Sequence, residues 1–370
     1  MKLHPAPNIK DITPYPPGKP LEELEREYGL TGSIKLASNE NPWGPSPKAI
    51  EAIALSLSGL HRYPDGSSYY LTEALAGWLG VDPEEIVLGN GSNEVIEFLV
   101  KAFVQQGDEV ITSHPSFLMY QKFVQVRGGE NTVVPLRDMN HDLSAITAAV
   151  TEKTRLIFMD NPNNPCGTLI SRDSFHRFLS GLPEDIVVVL DEAYVDFVAP
   201  GKRIDVLSYI RKPDTIPAVV SLRTFSKAFG LAGLRVGFGL MHREVASLLH
   251  RVRQPFNINM LGQVGALAAL TDTDHYNKTI TETADGREWL SRKVEELGCR
   301  PYPSHTNFFL IDVQGDATGL YEAMLRMGVI VRSMQAYDFP EFIRITVGTS
   351  EENQRFVTSL EECLRDLGYV

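Results

Sequence analysis

The chain has 370 residues, 43% of them hydrophobic and 22% charged, which suits a globular protein able to bury one large core or two smaller ones. Its formal net charge is -12 with no dense basic cluster, which argues against nucleic acid and anionic membrane surfaces as partners. Cys166, Cys299 and Cys363 are widely spaced, no run nears the length of a membrane span, and the N-terminus has no apolar signal core. Reduced thiols and a cytoplasmic location are therefore expected.

The first 20 residues hold six prolines and read as an extended arm. Leu21, Leu24 and Tyr28 recur at helical spacing and predict a short helix ending near Gly29. From about Ile34 to Met260, short apolar runs alternate with amphipathic stretches. Strands are predicted at 86–88, 109–112, 155–159, 186–190, 218–222 and 236–240. Such continuous apolar strands suit a sheet covered by helices on both faces. A helix over 262–270 leads into a second region, where 307–312 and 342–347 read as strands. The last helix shows Phe356, Leu360, Leu364 and Leu367 on one stripe. The expected fold class is α/β, a large domain with a mostly parallel central sheet plus a smaller α+β domain. The division is 1–34 for the arm and part of the small domain, 35–262 for the large domain and 263–370 for the small one.

Taken in chain order, several constellations carry chemistry. Gly89-Asn90-Gly91-Ser92-Asn93-Glu94 is a glycine-rich strand-to-helix turn whose free N–H groups suit an anion, and it is equally a plain turn. It lacks the third glycine of a dinucleotide fingerprint. Phe117 is either core or a stacking partner for a planar ring. Asp160-Asn161-Pro162-Asn163-Asn164-Pro165-Cys166-Gly167 is a tight turn in which Asn164 could present its amide to a ligand. Asp191 closes an apolar strand, where ligands of open α/β sheets bind, and Tyr194 follows it. No G-x-x-x-x-G-K-[ST] accompanies this acid, so a P-loop NTPase is not expected.

The stretch from Ser221 to Arg235 is the most telling. Lys227 lies among small, hydroxyl and apolar residues, an environment that depresses an ammonium's pKa and favours Schiff-base chemistry. The nearby hydroxyls and Arg235 suit a phosphate, and together these features suggest pyridoxal 5'-phosphate. Arg332 and Arg344 lie in strand-like apolar sequence, where a guanidinium needs either a structural ion pair or a substrate carboxylate or phosphate. The nine histidines show no metal spacing, and no metal is expected.

The chain resembles fold-type I pyridoxal-phosphate aminotransferases, most closely the histidinol-phosphate aminotransferase family. The resemblance runs nearly end to end. It includes Pro14-Tyr15-Pro16-Pro17-Gly18-Lys19, Leu36-Ala37-Ser38-Asn39-Glu40-Asn41-Pro42, Arg62-Tyr63-Pro64-Asp65, the lysine block and Arg344-Ile345-Thr346-Val347-Gly348-Thr349. It implies that Lys227 bonds the cofactor and shuttles the proton, that Asp191 pairs with the ring nitrogen, and that Asn164 and Tyr194 bind the ring's phenolic oxygen. It further implies that Ser92 and Asn93 (backbone), Thr224, Ser226 and Arg235 hold the phosphate while Phe117 stacks on the ring. Tyr63 would reach the phosphate of a second subunit in a homodimer. Arg344, with Arg332, Tyr15 and Asn41, would bind substrate. Cys166 stands where the family usually has threonine, and Asn93 where aspartate is commoner.

The activity so implied is transamination between L-histidinol phosphate and 2-oxoglutarate, or imidazole acetol phosphate and glutamate, in histidine biosynthesis. A threonine-phosphate decarboxylase, an aromatic-amino-acid aminotransferase and a cofactor-bearing regulator are the alternatives. The lack of a DNA-binding extension argues against the last.

Overall fold

The computed structural model describes residues 3–10, 12–14, 19–211 and 217–369. The strands are β1 (Ile34–Lys35), β2 (Ile86–Asn90), β3 (Glu109–His114), β4 (Glu130–Pro135), β5 (Thr154–Asp160), β6 (Val187–Asp191) and β7 (Ala218–Thr224). They continue with β8 (Val236–Leu240), β9 (Arg300–Pro301), β10 (Phe308–Asp312), β11 (Val329–Ile330), β12 (Arg332–Ser333) and β13 (Phe342–Thr346).

The main sheet has seven strands in the order β2-β8-β7-β6-β5-β3-β4. Only β8 runs against its neighbours β2 and β7; the ladders from β7 across to β4 are parallel. The α/β sheet expected from the apolar runs is therefore present. Strand β6 shows why those runs lack alternation. Val187 and Val189 enter one apolar layer, Val188 and Leu190 the opposite one, and helices cover both faces. The sheet's parallel strands aim their C-terminal ends, with Asp160 and Asp191, at the same edge.

A four-stranded antiparallel sheet, β12-β13-β10-β9, forms the second region and pairs β10 with β13 from Phe308↔Thr346 to Asp312↔Phe342. Its core joins Phe309, Ile311, Ile343 and Ile345 to Phe356, Leu360 and Leu364 of the C-terminal helix Ser350–Asp366. Leu367 falls outside the expected stripe: the helix ends at Asp366 and Leu367 is exposed. The N-terminal segment bridges the two regions. β1 pairs in parallel with β11, Leu36 enters the small core, and the chain then crosses to the edge of the main sheet.

The described part of the arm is not wholly extended. Pro7–Ile9 makes one 3-10 turn, and the Asn8 amide donates to the carbonyls of Gln125 and Val126 at the end of the helix Met119–Arg127. The side chain thereby adds a cap to the helix's last turn, where the Gly128 N–H also donates to the Gln125 carbonyl at 3.0 Å.

Candidate active site

A cavity of about 440 Å³ opens where the C-terminal ends of β5, β6 and β7 meet the turn after β2. Of the residues singled out from sequence, it brings together Ser92, Asn93, Phe117, Asn164, Asp191, Tyr194, Thr224, Ser226, Lys227 and Arg235.

At its base, Asp191 ends β6. Tyr120 donates to Asp191 Oδ2 at 2.8 Å, and the Ala193 N–H donates to Oδ1 at 3.1 Å. Burial, with a smaller push from Asp160 and against the hydrogen bond from Tyr120, raises the Asp191 carboxyl to about 7. Asp160 is the register partner of Asp191 on β5. Its backbone carbonyl accepts from His141 Nε2 at 3.0 Å, with that nitrogen 3.2 Å from Oδ1, and its carboxylate accepts from Asn163 Nδ2 at 2.9 Å and from the Asn164 N–H at 2.8 Å. This last bond fixes the turn that carries Asn164.

Lys227 is half-buried. Burial, and then the cation of Arg344, lower its amine to about 8. Its hydrogen bond, to the Ser38 carbonyl, is long at 3.4 Å, so the amine is lightly held. Tyr194 stands beside it, with Nζ 5.5 Å from the ring centroid. Burial raises the phenol to about 12, and it keeps its proton at neutral pH.

Opposite these groups is an anion cradle. Ser92 and Asn93 begin the helix Ser92–Phe103, whose first N–H groups have no intrahelical acceptor. Gly91 sits at φ 76°, and a Cβ there would lie 2.4 Å from Arg235 Nη2; one on Gly237 would lie 2.2 Å from the Ser92 nitrogen. Glycine at both positions lets backbone, guanidinium and turn close on one point. Arg235 also donates to Ser226 Oγ at 3.4 Å. The Asn93 Oδ1 is buried with no partner among the described residues.

Arg344 is buried on β13, donating to Asn164 Oδ1 at 2.5 Å and to the Ala37 carbonyl at 2.9 Å, with its guanidinium 5.0 Å from the Phe308 ring centroid. Its place beside Asn164 puts a cation at the cavity's edge.

Other expected residues lie elsewhere. Arg332 is the register partner of Arg344 but lines a neighbouring cavity with Lys19 and Tyr321. Asn41 donates to the Ala228 carbonyl at 3.1 Å and to Thr279 at 3.3 Å, which ties the segment down rather than offering it to a ligand. Tyr63 is exposed and stacks on Phe256 at 4.9 Å. Tyr15 lies outside the described residues.

Sequence reasoning passed over Tyr120, Asp160, Asn39 and Glu40. Asp160 was reachable, because it closes β5 as Asp191 closes β6. Tyr120 gave no signal, being one aromatic on an ordinary amphipathic helix. The Cys166 thiol is buried and shares an apolar cluster with Leu310 and Met334. Among the described residues, no three His, Cys, Asp or Glu side chains gather as metal ligands, and no helix is long and apolar enough to cross a membrane.

The family model for aminotransferase class I and II matches residues 31–360. The histidinol-phosphate aminotransferase of Desulfotalea psychrophila is 63% identical over 370 residues, covering 100% of this chain and 98% of that protein. That of Moorella thermoacetica is 44% identical, covering 96% and 92%. Among solved structures, the histidinol-phosphate aminotransferase of Sinorhizobium meliloti, in complex with pyridoxal-5'-phosphate, superposes with a TM-score of 0.89 at 30% identity, covering 98% of this chain and 97% of that one. An L-threonine-O-3-phosphate decarboxylase from Porphyromonas gingivalis shares the fold, with a TM-score of 0.78 at 24% identity over 90% of this chain and 99% of that one.

Proposed function

The chain belongs to the aminotransferase class I and II family, and from that premise we propose that it is a pyridoxal-phosphate-dependent histidinol-phosphate transaminase of histidine biosynthesis. It would exchange an amino group between L-histidinol phosphate and 2-oxoglutarate. The observation that carries this reading is one cavity holding a half-buried amine, a strand-end carboxylate and an anion cradle.

The residues present fit the cofactor. The cradle of Ser92, Asn93, Thr224, Ser226 and Arg235 suits its phosphate, including the close approach that Gly91 and Gly237 permit. Asp191, buried with no cationic side chain bonded to it among the described residues, suits a protonated ring nitrogen. Tyr194 and Asn164 suit the ring's phenolic oxygen, and Phe117 suits a ring face. When bound, the cofactor supplies an aldehyde that condenses with amines and a ring that accepts the electron pair of a broken Cα–H bond.

The chain's own groups do the rest. Asp191, kept in place by Tyr120 and the Ala193 N–H, favours the charged form of a partner nitrogen. Lys227 Nζ, its pKa lowered to about 8, takes a proton from substrate Cα and returns it on the other side of the reaction. Arg344 offers a planar fork to an anion, and a fork of this kind accepts the carboxylate of glutamate and the phosphate of histidinol phosphate alike.

The same reading includes a homodimer in the cytoplasm. Ile50, Leu55, Leu57, Leu60, Tyr63 and Tyr70 are each exposed on the helices and turns before β2, apolar side chains that a second copy would cover. The free cysteines are buried, consistent with a reducing compartment. On the same reading the chain divides into a cofactor-binding unit over 35–262 and a C-terminal unit over 263–370, with 1–34 as arm and part of the latter. Two separate apolar cores support two units, while Leu36 packs in the smaller core and Ala266 and Ala269 in the larger, across those bounds.

The test is turnover of glutamate with imidazole acetol phosphate, run beside carbon dioxide release from threonine phosphate and transamination of phenylalanine. Turnover of the first pair, lost in Lys227→Ala, supports the proposal. Preferential decarboxylation or preference for the aromatic substrate overturns it.

A further inference from the structure

Asn39 is buried and holds a φ of 54°, in the left-handed region that asparagine tolerates better than most residues. Its N–H donates to Thr346 Oγ1 at 2.9 Å, and its carbonyl accepts from Asn307 Nδ2 at 3.1 Å. The Thr346 hydroxyl, accepting there, turns its own hydrogen to Asn39 Oδ1 at 3.3 Å. That contact identifies the acceptor end of the amide. The other end, Nδ2, lies 3.0 Å from the phenolic oxygen of Tyr194 and is its donor.

A phenol carries one hydrogen. With Asn39 donating to it, Tyr194 spends none of its own on that contact, and none of the described side chains accepts from it. The oxygen is held from the side of the small sheet while the ring stands in the cavity wall. We propose that Asn39 is a positioning residue that aims the phenolic hydrogen of Tyr194 into the cavity, toward the ring oxygen of the cofactor; this rests on the reading that the cavity takes pyridoxal phosphate.

Asn39→Asp is the informative change. It keeps the size of the side chain and the tolerance for positive φ, yet it presents an acceptor where a donor stood. Tyr194 then gives its hydrogen to residue 39. A donor on the cofactor's ring oxygen favours the ionised form of that oxygen, so losing the donor raises the pH midpoint at which the holoenzyme's absorbance changes.

The experiment is an absorbance titration of the holoenzyme for the wild type, Asn39→Asp, Tyr194→Phe and the double variant, with circular dichroism to check folding. Each single variant is expected to raise the midpoint by about one pH unit or more, and Asn39→Asp is expected to add nothing once Tyr194 is phenylalanine. A shift that survives undiminished in the double variant comes from the new charge alone and overturns the proposal. So does a wild-type midpoint in Asn39→Asp when Tyr194→Phe has moved it. A midpoint unmoved by Tyr194→Phe overturns the placement of the cofactor's oxygen beside Tyr194, and the proposal with it. If Asn39→Asp does not fold, Asn39→Gly, at ease at this φ, removes the donor without supplying an acceptor. Its midpoint should lie between those of the wild type and Tyr194→Phe; the wild-type value overturns the proposal.

Discussion

The phenol of Tyr120 donates to Asp191 Oδ2 at 2.8 Å while its ring lies flat on Phe158, centroids 4.8 Å apart and planes at 6°. The stack holds the ring independently of the hydroxyl, so Tyr120→Phe removes the hydrogen bond alone. Asp191 is an acid already raised to about 7 by burial, and losing a donor to its charged form raises it further. At neutral pH less of it is then ionised. The apoprotein of Tyr120→Phe should bind pyridoxal phosphate about tenfold more weakly at pH 7, the loss narrowing as pH rises. Fluorescence titration of the apoprotein across pH measures this, and a pH-independent deficit would assign Tyr120 to packing.

Lys227 makes the opposite prediction about stability. Its folded pKa of about 8 lies below the unfolded value of 10.5, so the unfolded chain binds more protons between those values and stability rises with pH across that window. Below about pH 8 the cost of burying the charge is fully present. Lys227→Met should therefore stabilise the apoprotein at neutral pH, by at most about 3 kcal/mol, with the gain shrinking from pH 8 upward. Thermal unfolding of cofactor-free protein checks it, and a destabilised variant at pH 7 counts against the idea.

Arg344 donates through both terminal nitrogens, to Asn164 and to the Ala37 carbonyl, and a lysine cannot reproduce that fork. Arg344→Lys should raise KM for both glutamate and the phosphorylated substrate about tenfold or more while retaining turnover at saturation. Steady-state kinetics with each substrate varied in turn decide the matter; a rise confined to one of them would mean that the two anions use different cations.

The exposed Tyr63 and its apolar surroundings predict a dimer in which each copy completes the other's site. Light scattering should give twice the chain mass. Inactive Lys227→Ala and Tyr63→Ala proteins, mixed and allowed to exchange, should recover activity, because half of the mixed dimers' sites lack both defects. Continued inactivity of the mixture would place Tyr63 outside the site.

Much of this was legible in the chain. The parallel sheet follows from apolar runs such as Val187-Val188-Val189-Leu190, and Asp191 and Lys227 were exposed by composition: an acid ending such a run, a lone amine among small residues. What local sequence does not carry is contact across distance. Arg332 and Arg344 look alike as arginines in apolar strands and are register partners on one face of the small sheet. What separates them is that Arg344, on the inner strand β13, reaches Asn164, while Arg332, on the edge strand β12, lines the neighbouring cavity. Asn41 likewise reads as a ligand in the stretch that resembles its family, yet its partners are Ala228 and Thr279, far along the chain. Tyr120 matters through Asp191, which lies on another element altogether.

The pairing of Ile34 with Val329 has a bearing on synthesis. A ribosome delivers β1 and the segment that runs past Ser38 and Asn39 long before β11 or β13 exists. Until the C-terminal strands emerge, those early residues have no partner to pair with, and closing so long a loop carries an entropic cost that only the finished small core repays. The main sheet can form from the emerging chain, but the wall that holds Tyr194 and Lys227 from the N-terminal side is assembled last. A nascent chain stalled after the helix Thr273–Glu296 should therefore resist protease within the seven-stranded sheet and be cut readily between residues 30 and 40.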